Sequence, residues 1–264
     1  MRDALIGVCV ALLSVGCFAP DGARPELQLS LDAATAYVHR GMPQNQNAVV
    51  QGGTQVVMPT RDGGSVGLRS WANIDLTNDK GDAWFPDGGR GNPSQLDIVA
   101  DYARNFGPVG VTAGVANYSL PRGESFPNGP RGATTELFVR VDAEVLTLNP
   151  SLQLNFDVDA ADGFYANAAL ARGFAINDKL DANVSVGLGY SDSKHSLWAY
   201  DFPTSGVADL RVQGVLGYVY DEHTNLNLTV AGSTMIDGTL QDWFDVLGID
   251  SDNLWLSVGG TWSY

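Results

Sequence analysis

Leu254-Trp-Leu-Ser-Val-Gly-Gly-Thr-Trp-Ser-Tyr264 closes the chain, and its alternation decides how the remainder is read. Counting back in twos from Tyr264 gives Trp262, Gly260, Val258, Leu256 and Leu254; between them lie Ser263, Thr261, Gly259, Ser257 and Trp255. Successive side chains of a strand point to opposite faces. One face is therefore apolar with aromatics at its end, and the other is mostly small and polar. The length suits a tilted strand crossing a bilayer, which takes about 9–11 residues. The last strand of a soluble sandwich alternates too, so the choice rests on the segments upstream.

Eleven such segments precede it. The first is read as Glu26 to about His39, with Leu27, Leu29, Leu31, Ala33, Thr35 and Tyr37 on one face. Val49–Met58, Val66–Leu76, Gln95–Ala103, Val109–Tyr118 and Thr135–Val145 follow. In the seventh, Leu152, Leu154, Phe156 and Val158 alternate with Ser151, Gln153, Asn155, Asp157 and Asp159. Phe164–Gly173 and runs over Leu180–Tyr190, Leu210–Tyr220 and Leu226–Val230 complete the set.

Connection lengths discriminate between the two folds. Those after the second, fourth, sixth, eighth and tenth segments are short. Those after the third, fifth, ninth and eleventh are long and rich in Gly, Pro and Asp, and Arg40–Ala48 after the first is intermediate. Only Ala160–Gly163 is shorter than this parity predicts. Short turns at one end and long loops at the other mark a bacterial outer-membrane barrel. Aromatics sort the same way: Tyr102, Tyr218, Tyr220, Trp262 and Tyr264 toward one end of the apolar face, Tyr37, Phe156, Phe164 and Tyr190 toward the other. Two interfacial girdles follow from the amphipathic rings. The prediction is an all-β, twelve-stranded antiparallel up-and-down transmembrane β-barrel over residues 26–264. The even strand count puts both termini in the periplasm. The closing strand resembles the C-terminal signal read by the barrel-insertion machinery, which would be a partner alongside outer-membrane lipid.

The N-terminus reads as a signal peptide over residues 1–17, followed by a short segment, 18–25. Arg2 precedes an apolar run, Ala4 to Val15, too short for a membrane span. Ser14-Val15-Gly16-Cys17 resembles a lipoprotein cleavage box, making Cys17 the lipidation candidate, although Ser stands where Leu is usual. Ordinary cleavage after Gly16 or Ala19 is the alternative. Cys9 and Cys17 are the only cysteines, so the mature body has neither a disulfide framework nor a cysteine metal site. A net charge of −15 argues against nucleic acid as a partner and against a pore lined by Lys and Arg.

Tyr37-Val-His-Arg40-Gly41 with Gln44, Val50-Gln51-Gly52-Gly53, and Asp157-Val-Asp-Ala-Ala-Asp162-Gly163-Phe164-Tyr165 resemble segments of the TorF-like putative porins. The resemblance covers most of the mature chain on short motifs. It implies a Gram-negative outer-membrane porin and leaves the solute unspecified.

The inward phase supplies the candidate pore-lining residues: Asp75, Asp97, Asp101, Glu136, Arg140, Asp157, Asp209 and Arg211. Five of these acids, Asp75, Asp97, Glu136, Asp157 and Asp209, fall near the long-loop mouth. A carboxylate ring there favours cations, whereas pairing with Arg69, Arg140 and Arg211 makes a plug, and solvated lumen residues are the plainer reading. Asp157-x-Asp159-x-x-Asp162-Gly163 looks calcium-like but has one residue too many for an EF-hand, so a solvated loop is preferred and no metal is assigned. Leu240, Trp243, Phe244 and Leu247 stand at helical spacing in a long loop and are expected to cap the barrel rather than enter it. His39, His195 and His223 are far apart in sequence, and no nucleophile–base constellation, phosphate loop or cofactor motif is present, so no enzyme is expected. These readings together predict a passive channel for small solutes, preferring cations or neutral molecules. A non-conducting structural or adhesive barrel with acidic surface loops is the alternative.

Overall fold

The computed structural model describes residues 19–20, 22–78, 90–123, 131–145 and 147–264. The predicted signal segment and Cys17 lie outside the described residues. Twelve antiparallel strands close into one barrel: β1 (Glu26–Ala34), β4 (Val49–Pro59), β5 (Gly64–Asp75), β6 (Pro93–Phe106), β7 (Val109–Gly123), β8 (Arg131–Ala143), β9 (Asn149–Asp157), β10 (Phe164–Ala175), β11 (Leu180–Ser191), β12 (Gly206–Val219), β13 (Thr224–Met235) and β14 (Asp252–Ser263). Each pairs with its sequence neighbour in the barrel. β14 closes the sheet on β1, with Leu29 opposite Trp262 and Leu31 opposite Gly260. Closure leaves no edge strand unpaired, as a spanning sheet in lipid requires.

The alternation resolves as read. Leu254 and Val258 are 77% and 60% exposed on the outside, while Trp255 is buried on the inside. Gly259 faces inward, where a Cβ would stand 2.0 Å from Asp32 Oδ1, so the β1–β14 seam needs glycine there. Phe156, Phe164 and Tyr190 form a row of rings across β9, β10 and β11 at the end remote from the termini, with centroids 5.0 and 6.3 Å apart. Near the termini, the 60–63 turn is held by Asp62, which accepts from Thr60 Oγ1 at 2.6 Å and Tyr102 OH at 2.5 Å. Those two hydrogen bonds, Thr60 first, hold its carboxyl down at about 2.

The first segment departs from expectation. β1 stops at Ala34, and the chain then turns inward as a separate hairpin, β2 (Tyr37–His39) and β3 (Met42–Asn45). Tyr37 is consequently not part of the lipid-facing girdle: it is buried, and its hydroxyl donates to Gln95 Oε1 at 2.8 Å. Arg40 and Gly41 form the two-residue turn, at φ 50° and 79°. Two successive positive φ values suit a tight hairpin, and the second is glycine's natural role. Three small apolar clusters seat the hairpin. Tyr37 packs with Val49 against Trp71, Val38 packs with Ala231 and Trp255, and Met42 lies among Tyr200, Met235, Leu240 and Phe244. Burying side chains of this size contributes roughly 1.5–3 kcal/mol each, which outweighs leaving the segment in solvent.

Two helices cover the mouth beside the hairpin tip, α1 (Ser193–Tyr200) and α2 (Gly238–Leu247). Asp192 caps α1 by accepting from His195 N, and Asp237 caps α2 by accepting from Thr239 N and Leu240 N. Leu240 and Phe244 point down onto Tyr200, and Trp243 Nε1 donates to the Tyr200 carbonyl at 3.0 Å. The apolar spacing of 240–247 thus forms a cap, while the narrowing below it is made by the hairpin.

Candidate functional site

The hairpin carries Arg40 inside the barrel to side chains of β7, β8 and β10. Its guanidinium forms a two-pronged contact with Glu136 on β8, Nη1 to Oε1 at 2.7 Å and Nη2 to Oε2 at 2.6 Å. Glu136 is 1% exposed. The same guanidinium lies 4.4 Å from the Tyr165 ring centroid on β10 and 5.7 Å from that of Tyr118 on β7. Bidentate pairing and ring stacking are what a planar guanidinium offers and an ammonium does not. Tyr200 OH donates to the Arg40 carbonyl at 2.9 Å, fixing the turn from above.

Arg40 Nη1 is also 2.8 Å from His195 Nε2. Arginine only donates, so Nε2 accepts and the imidazole proton sits on Nδ1. Nδ1 then donates to Ser191 Oγ at 2.7 Å, and Ser196 Oγ donates to that same oxygen at 2.8 Å. The polarity is opposite to that of a general base drawing a proton from serine, and both serines are buried. The fold brings His195 beside Arg40, whose chain neighbour is His39, and there it helps seat the hairpin.

Three spaces adjoin the hairpin, and His39 lines all of them. A small one of about 30 Å³ lies above Arg40, walled by Gln95, Leu120, Trp198 and His195 among others. Two larger cavities flank the hairpin. One, of about 350 Å³, faces β9–β13 and is lined by Gln153, Asn155, Asn167, Gln213, Asp209 and Arg211 together with Tyr118 and Tyr165. The other, of about 340 Å³, is lined by Tyr37, Gln51, Trp71, Asp97, Arg211 and Trp255. His39, Arg40 and Tyr118 border both the small space and the first large cavity, so they stand between the two.

The sequence-predicted residues divide by depth. Glu136, Asp97, Asp209 and Arg211 surround the hairpin. Asp209 accepts from Tyr165 OH at 3.0 Å, and Gly189 makes room for that contact, since a Cβ there would stand 2.0 Å from Asp209 Oδ2. Asp101 pairs with Arg69 at 2.5 Å, and Arg140 with Asp142 at 2.6 Å, both farther along the barrel. Asp75 and Asp157 belong to the rim. Asp75 accepts from Ser94 Oγ and Asn73 Nδ2. Asp157 accepts from Thr134 Oγ1 at 2.5 Å and from the backbone N–H groups of Asp159, Ala161 and Asp162. In the calcium-like segment, Asp157 is therefore occupied in closing its own turn, while Asp162 pairs with Lys194.

Sequence reasoning missed Arg40, Tyr118, Tyr165 and His195 as a group. The available signal was Arg40-Gly41, a dipeptide suited to a tight turn directly after what reads as an alternating strand.

No family model matches the chain, and neither does any curated protein. Solved structures match over nearly its whole length. The NanC porin shares 10% identity over 89% of this chain and 98% of its own, with a TM-score of 0.51. The KdgM porin in complex with disordered oligogalacturonate shares 11% over 90% and 99%, with a TM-score of 0.50. An outer membrane channel from Pseudomonas putida F1 shares 9% over 93% and 96%, with a TM-score of 0.54. At such identities the likeness is one of fold, and that fold is the closed barrel of outer-membrane porins and channels.

Proposed function

We propose that the protein is an outer-membrane channel for passive diffusion of small polar solutes, with the lumenal hairpin as its selectivity element. The observation that carries this reading is the pair of cavities, about 350 and 340 Å³, flanking the hairpin inside a barrel whose outer face is apolar. The long-loop end faces outward and both termini lie in the periplasm. The closing strand engages the insertion machinery, and the motifs around Arg40 and Asp157 support a TorF-like porin.

Of the cation-preferring and neutral readings, the neutral one has more support. Of the five acids expected at the mouth, Glu136 is matched by Arg40, while Asp75, Asp157 and Asp209 are engaged by hydrogen bonds from Ser94, Thr134 and Tyr165, which leaves Asp97 rather than a full cation ring. Liposome swelling with purified protein tests the channel. Pentose-sized neutral solutes should enter, and reversal potentials in a salt gradient should lie near zero. A strong anion or cation preference would contradict neutrality. One observation favours the second reading, a non-conducting barrel: the hairpin that leaves β1 is tied through Arg40 to Glu136 on β8, five strands away in the closed order. Absence of both swelling and conductance would establish it.

A further inference from the structure

Two lumenal charges stand apart from the pairs described above. Arg211, on β12, extends over the Trp255 ring at 5.4 Å and donates to Gln213 Oε1 at 2.9 Å. Asp97, on β6, accepts from Gln95 Nε2 at 2.8 Å. Among the described residues, neither is among the ion pairs within 4.0 Å, whereas Arg40, Arg69 and Arg140 all have carboxylates. In the closed order of the barrel, β6 and β12 are six strands apart out of twelve, so the two side chains approach from opposite walls. Both border the same cavity of about 340 Å³.

The two ends of that cavity differ chemically. Trp71 is the cross-strand partner of Asp97, and its ring lies 5.2 Å from that of Tyr37. A carboxylate beside two aromatic faces suits an ammonium group, through charge and through the ring quadrupoles. Across the cavity, the Arg211 guanidinium lies over the Trp255 ring and gives one N–H to Gln213, and its five donors leave others for a carboxylate. A lone cation meets one favourable and one unfavourable charge here, and a lone anion does too. A solute carrying both charges satisfies both walls at once.

We infer that this cavity is a binding subsite for small zwitterions of the amino-acid or dipeptide class, oriented with the ammonium toward Asp97 and the carboxylate toward Arg211. The inference rests on the channel reading and names its preferred solutes: they are net neutral but strongly dipolar, and the opposed wall charges select for that.

Swelling of liposomes containing the full-length barrel, in L-glutamine against D-arabinose of similar mass, tests it. Glutamine should enter about three-fold faster or more through the wild type. Asp97→Asn with Arg211→Gln should bring that ratio to about one, and Arg211→Lys should retain part of the preference. Equal rates in the wild type overturn the inference without any variant, as does a ratio unchanged in the double variant. Arabinose entry without glutamine preference leaves the channel standing and removes only the subsite. No entry of either solute overturns both.

Discussion

Arg40 decides what the lumen is. A guanidinium held against a carboxylate that is 1% exposed is favourable only while both partners remain. Glu136→Gln should therefore destabilise the protein by about 3–5 kcal/mol in denaturant unfolding, since it leaves the Arg40 charge buried with one partner fewer. Adding Arg40→Gln should recover much of that loss, which a double-mutant cycle reads directly. A single-variant cost below about 1 kcal/mol would mean that lumenal water screens the pair. Half of this contact is legible: the alternation marks Glu136 as an inward residue, and the structure buries it, but nothing local marks its partner 96 positions away. Asp157 shows the converse. Its inward phase is real, yet its carboxylate serves the backbone of its own turn, a choice made by loop geometry that periodicity does not encode.

At the scale of elements, twelve spanning strands were readable because lipid outside and polar lumen inside impose one period on every strand. The hairpin was not, for the same reason. Alternation continues through Thr35 and Tyr37, so the chain reads as one long strand although it leaves the wall at Ala34. What draws it inward is tertiary: Trp71, Trp255 and the floor beneath α2 give Tyr37, Val38 and Met42 apolar surfaces to cover. The Arg40–Gly41 turn makes that seat sensitive. At Gly41 a Cβ would sit 2.6 Å from both Asp209 Cβ and Met235 Sδ, at a φ of 79° that L-residues rarely adopt. Gly41→Ala should unseat the turn while the barrel remains closed. Expected are a loss of about 1–3 kcal/mol and noisier, larger single-channel currents. Wild-type current levels in a folded Gly41→Ala protein would show that the turn does not set the constriction.

The whole molecule is a wall with two solvents. Outward residues such as Val184, Val186 and Leu188 form a continuous apolar face, and inward ones such as Ser185 and Gly187 border the polar cavity. Val186→Arg should cost about 2–4 kcal/mol in lipid, the cost of a cation near mid-bilayer on the lipid face, and Ser185→Arg clearly less. Similar costs at both positions would contradict a lipid-facing exterior. The hairpin lies inside the barrel beneath the covered mouth, with the two cavities flanking it. Current through one barrel, with and without the hairpin, is therefore the decisive quantity. Single-channel conductance in a planar bilayer should be small for the wild type and at least about two-fold larger when residues 36–46 are replaced by a short Gly-Ser turn. Equal conductance in the two folded proteins, or none in either, would contradict a channel narrowed by this hairpin.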